Sequence, residues 1–476
     1  MLLRQSGERR KSTEEIGFAI AVFGFFLFYL FSSLNIYLFQ SLWRTYYQFC
    51  VPILFVWSIV LYRKHGHAEI EFKALLAFWG WFVLSRIING DYALQKEYNQ
   101  VLDLALMLPA FALGITLKKE RRGTFLNWFS AIVGGYFFVL GCVCIYSFSQ
   151  RIDIPNTITQ QFIVSTLDNS DFTRICILDT NVDATAFWFL ESFLLMDYQF
   201  FACRKKAWRI PIFLSAAVDY IVIGMTYTRS VFIAVSAAVG LSLIFALNRK
   251  LSSRKKGIRY LFLFFVLLIA MFGTYKGFYR STEYFGRMSV ERRYQDATEE
   301  EKEEIFQGEF TDTRRSKSIN QFTSGRFWIY RAGKLILQRN LSIWLHGCLY
   351  DESALLLTET MKEGGGSSQG GFVPHYQNFL LQVLVVDGLP GLLLVLLFCL
   401  SLLYKEAKLF FRETLNAEAA LLVLGLSVAT PMLYGMLESC FFTVTDVRTL
   451  FFFLMSGLFL GSCYDKISGN NLTSEV

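Results

Sequence analysis

The sequence predicts an all-α polytopic membrane protein of about 12 transmembrane helices, with one large extracytoplasmic loop containing short helices late in the chain. Three observations predict it. Of the 476 residues, 54% are hydrophobic and only 18% charged, against about 45–50% and about 25% in soluble domains. The apolar residues fall in runs of roughly 20, the length that crosses a bilayer as a helix. The basic residues collect in every second loop between those runs, as the positive-inside rule requires.

The runs lie at 17–38, 46–62, 72–89, 99–117, 124–147, 184–203, 208–227, 230–248, 259–277, 380–404, 417–437 and 448–465. The polar segment Met1–Glu15 precedes a first run too long for a signal-peptide core and without a small-residue cleavage site, so that run reads as a retained span. Arg4, Arg9, Arg10 and Lys11 precede span one, and Arg63 and Lys64 follow span two. Lys118, Lys119, Arg121 and Arg122 follow span four, and Arg204, Lys205, Lys206 and Arg209 follow span six. Six Lys and Arg between Arg249 and Arg259 follow span eight, and Lys405, Lys408 and Arg412 follow span ten. This phase puts both termini in the cytoplasm. It also explains the net charge of +7 without nucleic acid. The nine cysteines sit mostly in apolar runs, where a small buried hydrophobe is the plainer reading than a disulfide framework or a metal site.

Three regions result: spans one to nine over 1–277, the large loop over 278–379, and the last three spans with a cytoplasmic tail over 380–476. A second outside loop covers about 148–183 and holds Asp168, Asp171, Asp179 and Asn181. Within the large loop, Glu299–Glu304 reads as a solvated acidic helix. The segment from Arg326 to Gln338 reads as an amphipathic helix, with Phe327, Tyr330, Lys334, Leu337 and Gln338 at helical spacing and Ser324 before it as a cap. Such a helix could lie on the membrane surface. Glu363–Gly371 is glycine-rich and reads as a hinge; it lacks the Lys-Ser/Thr ending of a nucleotide loop.

The cations that break the inside rule are the informative ones. Arg229 sits in Thr226–Ser230, where span seven turns straight into span eight. Arg86 lies near the outer end of span three, Arg448 at the outer start of span twelve, and Arg326 opens the loop helix. A cation at the membrane is costly unless it snorkels, pairs or faces a polar cavity. Each could merely reach headgroup phosphates. Arg229, held in a tight outer turn, is better placed for a ligand, because a guanidinium grips phosphate oxygens at two points. His375, between the glycine-rich stretch and span ten, could accept a hydroxyl proton, since imidazole titrates near neutral pH. His346 is a weaker candidate. Asp103, Glu191, Asp197, Asp219 and Glu438 are acids within spans, where proton relays also occur.

Three stretches then resemble the O-antigen ligase and polymerase superfamily of bacterial envelope glycosyltransferases. They are Thr228-Arg229-Ser230 opening an apolar helix, the loop helix from Ser324-Gly325-Arg326 to Leu345-His346-Gly347, and His375-Tyr376-Gln377-Asn378 followed by Asp387-Gly388-Leu389-Pro390-Gly391. Asn181 is similar to a further asparagine of that family. Two departures stand out. Tyr376 and Gln377 separate the histidine from Asn378, and a Gly-x-Gly is reduced to Gly347-Cys348-Leu349.

The resemblance implies a GT-C-like fold in the bacterial cytoplasmic (inner) membrane. It implies a metal-independent, inverting transferase that needs no cofactor. It implies a donor glycan on undecaprenyl pyrophosphate, a glycan or lipid-linked acceptor, and envelope-assembly partners. His375 would be the catalytic base. Arg229, Arg326, Arg86, Arg448 and Asn378 would bind pyrophosphate or substrate. A polysaccharide polymerase is favoured over an O-antigen ligase, and a lipid-linked-sugar transporter or flippase is the alternative.

Overall fold

The computed structural model describes residues 13–24, 27, 37–65, 69–90, 93–150, 152–155, 162–169, 172–177, 182–250, 256–312, 326–363, 375–412, 419–436, 442 and 447–473. Helices dominate. They are α1 (13–24), α2 (Tyr37–His65), α3 (Glu69–Ile88), α4 (Ala93–Lys96), α5 (Tyr98–Ala105), α6 (Met107–Thr116) and α7 (Lys119–Gln150). After a small sheet come α8 (Val182–Ala202), α9 (Lys206–Thr226), α10 (Arg229–Lys250) and α11 (Lys256–Arg293). The loop helices are α12 (Glu299–Asp312), α13 (Arg326–Arg339), α14 (Leu341–His346) and α15 (Tyr350–Glu363). The chain closes with α16 (Phe379–Arg412), α17 (Ala419–Gly435) and α18 (Val447–Thr473).

Among the described residues, 6 helical stretches are long and apolar enough to cross a membrane: α5 with α6, α7, α9, α10, α11 and α16. The protein is therefore a helical membrane protein. Its outer surface says the same. Along α11, Ile258, Leu261, Phe264, Phe265, Leu268, Ile269 and Phe272 all point away from the protein. An apolar surface of that extent is stable against lipid and not against water.

The interior is close-packed by aromatic and small residues. Phe442 meets Phe78 edge-on at 5.4 Å and Phe453 at 5.3 Å, bringing α3 and α18 together. α6 is buried on every side. Gly457 and Gly461 of α18, four residues apart, let its backbone lie against Phe111 and Gly114 of α6, and a Cβ at any of the three glycines would collide with the facing backbone. Small residues at such spacing are how membrane helices approach closely without a hydrophobic driving force.

The charged ends sort themselves. Lys64 at the end of α2 pairs with Glu14 at 2.9 Å, Arg121 at the start of α7 pairs with Glu15 at 3.1 Å, and Lys405 pairs with Glu71 at the start of α3. The basic residues at the end of α2, at the start of α7 and late in α16 thus gather at one end of the bundle.

Four features differ from the sequence reading. Three strands, β1 (Ile154–Pro155), β2 (Phe162–Asn169) and β3 (Phe172–Ile177), form an antiparallel sheet where a plain loop is expected. Its Val164, Ile175 and Ile177 are buried, and the Ile177 amide donates to Thr185 Oγ1 at 3.1 Å, seating the sheet on α8. Second, α11 continues to Arg293, well past the expected end of span nine at 277. Third, α13 buries Ile329, Ala332, Gly333, Ile336 and Leu337, while Phe327 and Lys334 are exposed, so its apolar face lies elsewhere than expected. That face does not lie on lipid. It packs with Ile343, Cys348, Leu357 and Tyr376 into a separate small core, the loop subdomain. Fourth, α16 breaks at Gly388, whose φ of 69° and ψ of −174° are non-helical. Pro390 then restarts the helix, a position where its missing N–H costs nothing.

Candidate functional site

A chain of hydrogen bonds collects the candidate residues at one end of the bundle. Tyr227, with φ of 56°, reverses the chain between α9 and α10, so that Arg229 opens α10 with its side chain exposed. Beside it, Thr228 Oγ1 donates to the Val182 carbonyl at the start of α8 at 3.5 Å. The next carbonyl, of Asp183, accepts from Tyr434 Oη near the end of α17 at 3.2 Å. Two residues on, the Met436 carbonyl accepts from Asn378 Nδ2 at 2.8 Å. Gln377 precedes Asn378, and its carbonyl accepts from Tyr330 Oη of α13 at 3.2 Å. Arg326 stands four residues before Tyr330 and so shares its helical face. Arg229, His375, Asn378 and Arg326 therefore belong to one end of the molecule.

Helix polarity reinforces this. α8, α10 and α16 start at this end, and so does α18, because Phe442 just before it packs on Phe379, the first residue of α16, at 6.2 Å. Each start presents backbone N–H groups and the positive end of a helix dipole. Among the described residues, Asp183 is an acid in the first turn of α8. An arginine at the positive end of its own helix, as Arg229 is, gains nothing from the dipole, and that arrangement is useful when an anion lies between.

His375 is held from both sides. The Tyr376 amide donates to Gln382 Oε1 at 2.9 Å, and Tyr376 Oη donates to the Ser353 carbonyl of α15 at 3.2 Å. The Tyr376 ring is fully buried against Gly333, and burial holds its phenol above the ordinary range. Gln377 takes the left-handed φ of 48°, which turns the backbone sharply between the histidine and the helix. The two residues that separate His375 from Asn378 are thus an anchor and a turn.

Asn378 has a structural occupation. Its Oδ1 accepts from the Leu381 amide at 3.0 Å, the bond of a helix N-cap, while its Nδ2 is spent on Met436. Arg86 is also committed. Its side chain has no solvent exposure and donates to Glu97, to Asp387 at 3.2 Å, and to Ser85 Oγ and the Val386 carbonyl at 2.9 Å each. It also stacks on Phe82 at 4.1 Å. Glu97 in turn accepts from the Tyr350 amide, tying the subdomain to the bundle. Arg86 is a staple between α3, the α16 break and the loop. His346 ends α14, and its carbonyl accepts from Asn89 at 3.5 Å, also a junction. Arg448 is the second residue of α18; its side chain, Asn181 and Glu438 lie outside the described residues.

The sequence points to Asp183 in no way, to Tyr330 only as a position on the loop helix, and to Gln382 only as the last residue of the His375-to-Gln382 stretch, one helical turn after the Asn378 cap. Compared with protein-family models and with curated proteins, the chain matches none.

Proposed function

We propose that the protein is an inverting membrane glycosyltransferase acting on a glycan carried by undecaprenyl pyrophosphate, with polymerisation favoured over ligation to a lipid acceptor. In this reading twelve spans of GT-C-like arrangement lie in the bacterial cytoplasmic membrane, with both termini inside and the site on the outer face. The observation that carries it is the hydrogen-bonded chain from Thr228 to Tyr330, which joins the Arg229, His375 and Arg326 segments at one end.

The chemistry follows from those groups. Arg229 and Arg326, with the helix starts around them, offset the charge that develops on the departing pyrophosphate. His375 takes the proton of the acceptor hydroxyl as that oxygen bonds to the anomeric carbon and the phosphate oxygen leaves from the opposite face. The leaving group carries its own activation, so no nucleotide enters the step.

Purified protein in lipid, given lipid-linked oligosaccharide alone, separates the readings. A polymerase yields a ladder of longer glycans. The alternative, a transporter or flippase, draws support from Asp219, a fully buried acid in the middle of α9. It predicts movement of the lipid-linked sugar across the bilayer with no ladder.

A further inference from the structure

We propose that the short helix α14 is a membrane foot: it sinks Leu341, Trp344 and Leu345 among lipid acyl chains and fixes the loop subdomain on the bilayer. The proposal rests on the chain being embedded in lipid and not on the glycosyl transfer proposed above, so each can fail alone.

α14 has six residues and two unlike faces. Ile343 turns inward and is 5% exposed in the subdomain core. Leu341, Trp344 and Leu345 are 76%, 37% and 68% exposed. Their spacing of three and four puts them on one face, opposite Ile343. Nothing charged interrupts that face. The Trp344 Nε1 group already donates to the Leu337 carbonyl at 3.0 Å, so the indole can enter lipid without an unsatisfied N–H.

The occupant follows from where this face leads. Gly388, at the break of α16, sits so close to the Leu345 carbonyl that a Cβ would collide with it. The next residue, Leu389, begins a stripe of exposed leucines, Leu389, Leu393, Leu397 and Leu400, that runs along a helix long enough to cross the membrane. On the other side, Asn89 bonds the His346 carbonyl. It directly follows the exposed Leu84, Ile87 and Ile88 at the end of α3. The α14 face therefore continues two surfaces of the membrane bundle. It belongs to the same solvent as they do, and that solvent is lipid. The surface-seeking helix of the loop is α14 and not α13, whose apolar face the subdomain consumes.

The test uses the full chain in vesicles of phosphatidylethanolamine and phosphatidylglycerol. Benzoylphenylalanine replaces Leu341 or Leu345, and, as controls, the exposed Glu352 or Lys362 of α15. Irradiation should give phospholipid adducts from 341 and 345 at least about tenfold above the controls. Adducts to a second copy of the chain, to another protein, or to no lipid at all would overturn the proposal. A second measurement does not depend on the bulky probe. Brominated lipids should quench a share of tryptophan emission that disappears in Trp344→Phe. An unchanged quenched share in that variant would also overturn it.

Discussion

His375 and Asn378 stand three residues apart and have opposite fates on mutation. Asn378→Ala removes a helix cap and its tie to Met436, so the thermal midpoint should fall, by the equivalent of about 1–2 kcal/mol, with Asn378→Ser recovering part of it. His375→Ala should leave membrane insertion intact and lower glycan elongation by roughly 10²–10⁴, read from the ladder in the lipid-linked oligosaccharide assay. Equal elongation in both variants would remove His375 from the reaction. Arg86 makes a third contrast. Arg86→Met strands two buried carboxylates, Glu97 and Asp387, and should cost about 3–5 kcal/mol of stability in a denaturation series. Neither partner could be read from the sequence, since they lie 11 and 301 positions away. The candidate site was legible where a residue type was out of place for topology, as at Arg229. It was illegible where the fold spends a side chain on a distant carbonyl, as at Asn378.

At the scale of elements, long apolar runs made most helices readable, because lipid demands both the composition and the length. The hairpin at β2 and β3 is hard to read because its Phe162–Leu167 and Phe172–Ile177 stretches are short, do not alternate apolar with polar, and sit inside a polar connection. The phase of α13 was misread because polar and apolar residues share both sides of it, and only packing against Tyr376 chooses between them. The contact of α6 with α18 depends on glycine backbones. Gly457→Leu should destabilise the protein by about 1–3 kcal/mol or more, measured as loss of monodisperse protein on heating in detergent. α12 has a reciprocal cap: the Glu301 carboxylate accepts from the Thr298 amide at 2.8 Å and hydroxyl at 3.0 Å, and these bonds lower its pKa. A pKa lowered on folding contributes stability above the ordinary glutamate range and loses it as pH falls through the lowered value. Amide exchange at the start of α12 should therefore quicken in acid once the intrinsic pH dependence is divided out, and Glu301→Gln, which removes the titrating group, should erase that change.

For the whole molecule, the basic end and the end bearing Arg229 and His375 are opposite poles of one helical bundle, so a reagent restricted to one side of a sealed vesicle reaches one of them only. A membrane-impermeant maleimide should label a cysteine placed at Lys362 and spare one placed at Lys119 in vesicles of a single orientation. Labelling of both from the same side would place the two ends on one face of the membrane and overturn the arrangement. The Tyr376 anchor has a mechanical consequence at this scale. Its phenol is fastened to the loop subdomain and its amide to the membrane bundle, so neither body can shift against the other without dragging the neighbouring imidazole along. Under the glycosyl transfer proposed above, a sugar chain that wedged the two bodies apart would pull His375 out of place, and one that fitted between them would leave it seated.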